Sequence, residues 1–83
     1  MVIYQWIVYD EETARFEIIE NDDYYYARDT AWGWYIDYLN KFHVNDGSQY
    51  CKALNDFEGR DIHVLTFTDH ARVSFLRNEV YFD

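Results

Sequence analysis

The chain contains no proline, one cysteine, three glycines and no long apolar run. Each scarcity excludes something. Without proline, repeats or low-complexity tracts, nothing marks a linker, so residues 1–83 read as one domain. Cys51 alone cannot close an internal disulfide. A secreted domain of this size usually relies on disulfides or a metal, so the reading is cytoplasmic. Met1 leads directly into Val-Ile-Tyr-Gln-Trp, with neither the basic start nor the small-residue cleavage site of a secretion signal. Three glycines leave little for a phosphate-cradling loop. No stretch approaches the roughly 18 apolar residues that a membrane span requires.

What the chain has in excess is rings and acids. Aromatic residues make up 22% of it, and each buries roughly 150–250 Å². A few of them fill the thin core of so short a chain, and the remaining tyrosines are left at the surface, half covered or available to a partner. Sixteen acids oppose seven bases, for a net charge of -9. That charge repels nucleic acid and anionic lipid and attracts basic protein surfaces, although acidity also serves solubility alone. The ring and β-branched content is too high for a disordered chain.

The hydropathy pattern predicts an α+β fold: an antiparallel sheet of four to five strands with two helices, in the order ββααββ(β). Residues 2–9 read as a central strand, apolar on both sides and covered on both. Residues 14–20 alternate, with Ala14, Phe16 and Ile18 taken as inward and Glu17 as outward, and form a hairpin with the first strand. From Asp29 the spacing turns helical, with Ala31, Trp32, Tyr35, Leu39 and Phe42 as one stripe and Asp29 or Thr30 as the cap. Gly33 implies close packing or a helix held by its tertiary contacts. Asn45-Asp46-Gly47 is a turn. Ser48 then caps a second helix bearing Tyr50, Cys51, Ala53, Leu54 and Phe57 and ending in a left-handed Gly59. Strands follow at 62–68 and 71–77, then a bend at Arg77-Asn78-Glu79 and a last extended piece at 80–82. Trp6, Phe16 and Leu39 are the strongest core candidates.

No arrangement of residues spells out catalysis. His43, Cys51, His63 and His70 match no zinc or nucleophile template, and a structural thiol is the ordinary role for Cys51. Asp10-Glu11-Glu12 and Asp22-Asp23 lack the spacing of a calcium loop. The reading is therefore a non-enzyme with no metal and no cofactor. The bases Arg15, Arg28, Lys41, Lys52, Arg60, Arg72 and Arg77 are scattered and form no nucleic-acid stripe. The acids are not scattered: residues 10–23 hold seven against Arg15 alone, six of the nine excess charges. A ridge of carboxylates imitates a row of phosphates, and it equally protects a solvated hairpin edge. The candidate partner-binding residues are Glu11, Glu12, Glu17, Glu20, Asp22 and Asp23, with Tyr24, Tyr25 and Trp34 as exposed anchors.

In size, acidity, lack of disulfides and aromatic richness, the chain resembles the small acidic inhibitors encoded by bacteriophages and mobile elements. These include anti-CRISPR proteins, uracil-DNA glycosylase inhibitors and other DNA mimics. The resemblance lies in overall profile and not in a motif, so it assigns no residue. It implies an inhibitor of a basic nucleic-acid-binding protein or complex, acting in the host cytoplasm, with no direct nucleic-acid or membrane contact. The alternatives are an immunity protein or antitoxin that neutralises a nuclease toxin, and a non-catalytic adaptor subunit. Oligomeric state is left open. In a low-salt gel shift, the chain is expected to leave duplex and single-stranded DNA and RNA unretarded; a shift at micromolar protein would contradict the charge argument.

Overall fold

The computed structural model describes residues 1–45 and 50–83. It is α+β, with β1 (Val2–Asp10), β2 (Arg15–Asn21), α1 (Tyr24–Lys41), α2 (Leu54–Glu58), β3 (Ile62–Leu65) and β4 (Val73–Tyr81). The strands form one antiparallel sheet in the order β2-β1-β4-β3. The two long strands β1 and β4 pair without interruption from Val2↔Tyr81 to Asp10↔Val73. The bend expected at Arg77-Asn78-Glu79 is absent, and the last extended piece belongs to β4. Among the described residues, no helix is long and apolar enough to cross a membrane.

One side of the sheet carries the core. Trp6 and Val8 of β1, Ile19 of β2, Leu65 of β3, and Val73 and Phe75 of β4 face α1 and α2 and are buried. Ala27 and Ala31, one turn apart on α1, let that helix approach closely, and Tyr35 on the next turn fills the space beyond them. Phe57 of α2 sits at the centre. Its ring lies 6.0 Å from Trp6, 5.3 Å from Trp32, 5.0 Å from Tyr35 and 5.9 Å from Phe75. The expected stripe on α1 is therefore correct: Ala31 and Tyr35 are buried, and Trp32, Leu39 and Phe42 pack at its margin.

The start of α1 lies earlier than expected. Asp23 is the cap, its carboxylate accepting from the backbone N–H groups of Tyr25 and Tyr26, so Asp29 and Thr30 lie inside the helix. Aromatic residues have modest helix propensity, and the Tyr24-Tyr25-Tyr26 run hid the first turn. Gly33 is exposed, and a Cβ there would meet nothing within 4 Å, so close packing does not explain it. The second helix is shorter than expected and begins at Leu54; Cys51 precedes it, and Tyr50 is exposed. Gly59 has φ -78°, an ordinary right-handed end and not a left-handed one. Ser48 and most of the Asn45-Asp46-Gly47 turn lie outside the described residues. The strand expected at 62–68 ends at Leu65, and an isolated bridge joins Phe67 to Val44.

The main departure is the facing of β2. Phe16 and Ile18 were expected inside, yet they are 69% and 58% exposed, while Ile19 is buried and Glu17 lies on the helix side. Ala14 is not a strand residue: it closes the hairpin turn with φ 54°. Because strand side chains alternate, the turn fixes which set points inward, and it aligns Ile19 with the core residue Trp6. Ile18-Ile19 is apolar at both positions, so alternation could not choose between them.

The same register gives the sheet an uncovered side. β1 places Ile3, Ile7 and Tyr9 there, and β2 places Phe16 and Ile18. β3 adds Ile62 and Val64, and β4 adds Leu76 and Val80. The strand expected to be covered on both sides is covered on one. The molecule is correspondingly flat, 44 × 27 × 17 Å, the thickness of one sheet and one helix layer.

Phe57→Ala is expected to cost about 3–5 kcal/mol, a large share of a typical 5–15 kcal/mol stability. Gly33→Ala should instead raise stability by about 0.5–1 kcal/mol, since it removes backbone freedom without a clash. Denaturant titrations with tryptophan fluorescence read both; an unchanged midpoint for Phe57→Ala would contradict the core described.

Candidate protein-binding site

The acids of residues 10–23 run along β2 from the hairpin to the start of α1. At the hairpin end, β1 terminates in Asp10, which is buried. Its Oδ1 accepts from the Glu12 backbone N–H at 2.9 Å, and its Oδ2 accepts from the Tyr38 hydroxyl at 2.9 Å. His70 Nε2 lies 3.0 and 3.2 Å from the two oxygens, and the His70 ring stacks on Phe42 with centroids 4.0 Å apart. Burial acts to raise the Asp10 pKa, but the bonds from Tyr38, Glu12 and His70, together with the charge on His70, outweigh it and hold the group below its ordinary value. Burial, joined by the bond to Asp10, pushes Tyr38 up to about 12. The network ties together β1, α1 and the loop between β3 and β4.

Two adjoining hollows, of about 370 and 190 Å³, open on either side of this network and share Asp10, Trp34 and Tyr38 in their walls. The larger also has Asp37, Lys41 and Phe42; the smaller has Arg15 and Glu17. Arg15 and Glu17 pair with each other. Among the described residues Asp37 is in no ion pair. Asp37 is exposed and lines the same hollow as the rings of Trp34 and Phe42, a combination that suits a guanidinium or ammonium group.

The expected site residues divide between this end and the other. Glu11 pairs with Arg72 at 3.0 Å, and Glu12 accepts from the Ala71 backbone N–H at 3.0 Å. Both hold the hairpin tip against the β3–β4 loop. Glu17, expected to face solvent, lies on the helix side, where the register brings it into the smaller hollow with Trp34. Glu20 is on the uncovered sheet side, bonded to Gln5 at 2.7 Å. Asp22 is exposed and Asp23 caps α1. Tyr24 is not an exposed anchor. It packs edge-on to Tyr4 at 5.2 Å and donates to Glu58 at 3.0 Å, because the helix starts there and turns this ring to the sheet. Tyr25 is exposed as expected, and so is Tyr26, which sequence reasoning passed over. Trp34 is half-buried in the hollow walls.

Cys51 and His63, whose spacing matches no nucleophile template, are nevertheless brought into contact. The thiol lies 3.2 Å from Nδ1, and Nε2 bonds to the Phe57 carbonyl at 2.7 Å. Both residues are buried, and burial raises the thiol pKa and lowers that of the imidazole. The pair is neutral, with the thiol donating to Nδ1 and Nε2–H donating to Phe57. A nucleophilic cysteine needs the opposite, a thiolate in reach of solvent. The pair pins the segment before α2 to β3.

Comparison with family models, curated proteins and solved structures finds no match.

The Asp10 network generates a pH prediction. A carboxylate whose folded pKa is depressed stabilises the fold above its unfolded value of 3.8 and loses that contribution as pH falls through the folded pKa. The denaturation midpoint should fall steeply below about pH 4. Asp10→Asn should be less stable at neutral pH and show a shallower acid fall. Equal acid profiles for the two proteins would contradict the network's role.

Proposed function

We propose that the protein is a non-catalytic inhibitor that binds a basic nucleic-acid-binding protein or complex, in the manner of anti-CRISPR and DNA-mimic proteins. One observation supports this above the others. Asp37, Trp34 and Phe42 line one hollow at the acidic hairpin end, with Glu17 in the hollow adjoining it. A basic side chain that normally meets phosphate finds there the carboxylate of Asp37 and the rings of Trp34 and Phe42, with Lys41 as the one like charge of the wall to be displaced toward solvent. The surrounding acids act at longer range. With six of nine excess charges between residues 10 and 23, spread from the hairpin tip to the start of α1, they attract a positively charged partner to the β2 edge of the molecule.

The acids differ in what they do for the fold, and the test uses that difference. Asp23 caps α1, Glu12 bonds to the Ala71 backbone and Glu11 pairs with Arg72, so reversing them would confound binding with stability. Asp22 and Asp37 are exposed and, among the described residues, in no ion pair. The experiment is capture from a bacterial lysate, identification of the retained proteins, and kinetics on the captured partner at two salt concentrations. The double variant Asp22→Lys/Asp37→Lys is expected to slow association about 10–100-fold at low salt, and Trp34→Ala to speed dissociation. The partner's own DNA or RNA should compete with the protein. Retained proteins that bind no nucleic acid, or an affinity indifferent to both salt and the reversals, would overturn the proposal.

A further inference from the structure

The uncovered side of the sheet is the largest feature that neither the fold nor the proposed partner site uses. Phe16, Ile18 and Ile62 are 69%, 58% and 60% exposed on it. Its strand residues are mainly aliphatic, and no tryptophan or arginine of any strand points to it. A polar band crosses the middle: Asn78 Nδ2 donates to Gln5 Oε1 at 2.9 Å, and Gln5 Nε2 donates to Glu20 Oε2 at 2.7 Å. Glu20 is the one acid that the strand register places on this side. The band is bonded within itself, so covering it does not strand its main donors and acceptors, which is the usual cost of burying polar groups. Contiguous apolar patches above a few hundred Å² on a folded chain mark interaction surfaces.

We infer that this face is where two copies of the chain pack, sheet against sheet, with the helices outside. Three observations select a second copy over another occupant. The first is area. Strands of these lengths, at about 3.3 Å per residue and about 4.8 Å between strands, give a flat footprint of roughly 450–600 Å² per copy. Side-chain relief then takes two copies past the roughly 1,000 Å² that a specific dimer needs. The second is charge. A chain of net charge -9 repels its own copy wherever acids meet, and on this face Glu20 alone stands in the strand register, already bonded to Gln5. A basic partner is drawn to the hairpin instead. The third is composition. Aliphatic residues with little charge make the interior of a two-sheet sandwich and of permanent homodimers, whereas transient interfaces are polar and rich in arginine and tryptophan.

This dimer leaves the hollow around Trp34 and Asp37 on the outer, helix-bearing side, so each assembly would present two acidic sites. It does not depend on the proposed target. Partner capture and dimerisation respond oppositely to salt: salt weakens capture of a basic partner, but it screens repulsion between copies and strengthens the dimer.

The test is sedimentation equilibrium of the purified chain from about 1 to 500 μM at low and high salt, a range that brackets micromolar affinities. The expected result is a monomer–dimer equilibrium that shifts toward dimer at high salt. Ile18→Lys and Ile62→Lys change exposed residues on two different strands, so each should keep its near-ultraviolet circular dichroism while its dimer dissociation constant rises roughly 100-fold or more. Tyr26→Lys, on α1, should leave the dimer unchanged. A monomer across the whole range at both salts would overturn the inference. So would a dimer untouched by both face variants, or one abolished by Tyr26→Lys.

Discussion

The packing of Phe57 between Trp6, Tyr35 and Phe75 is the contact on which the rest of the molecule depends. It joins the shortest helix to the two longest strands and to α1, and it forms only if α1 approaches closely, which Ala27 and Ala31 allow. A chain of this length can place one helix layer against a four-stranded sheet. With both helices committed to one side, none of the described residues covers the other, whatever residues stand there. Flatness and the exposure of the outer face follow from that single-sided core; the apolar residues on that face do not, and they are a property of the sequence alone.

Much of the architecture was legible in the sequence. Alternation marked the hairpin and the β3–β4 return, and three- and four-residue spacing marked the buried stripe of α1. Three things were not. The facing of β2 rested on Ile18-Ile19, where a one-residue shift exchanges inside for outside and only the hairpin turn decides. The first turn of α1 was hidden by three consecutive tyrosines, although Asp23 was there as a cap. Contacts distant in sequence carried no local signal at all: Asp10 with His70, Cys51 with His63, and Trp34 with Glu17 come together only once the sheet order is set. The candidate site was therefore half readable. Its charge was visible in the composition, but the hollow that gathers Asp37, Trp34 and Phe42 was not.

The acids illustrate how a charge run resolves into separate tasks. Of the seven between residues 10 and 23, Asp10 anchors a buried network, Glu11 and Glu12 secure the hairpin tip, and Glu17 pairs with Arg15. Glu20 completes the polar band and Asp23 caps the helix, which leaves Asp22 to solvent. Local duty does not cancel their field, because among the described residues the ion pairs set two arginines, Arg15 and Arg72, against these seven acids. The surface thus has two unlike sides. One is acidic and ring-bearing; the other is apolar, with Glu20 as the one charged residue that the strands place on it.

In the proposed dimer this second side is covered by another copy. Isotope-filtered nuclear Overhauser spectroscopy on an equimolar mixture of labelled and unlabelled chains tests it most directly, since it sees only contacts between copies. The account predicts intermolecular contacts among the methyl groups of Ile7, Ile18, Ile62 and Leu76, and none involving Ala27 or Ala31. Intermolecular contacts that avoid the outer strand residues, or none at all at millimolar concentration, would contradict it.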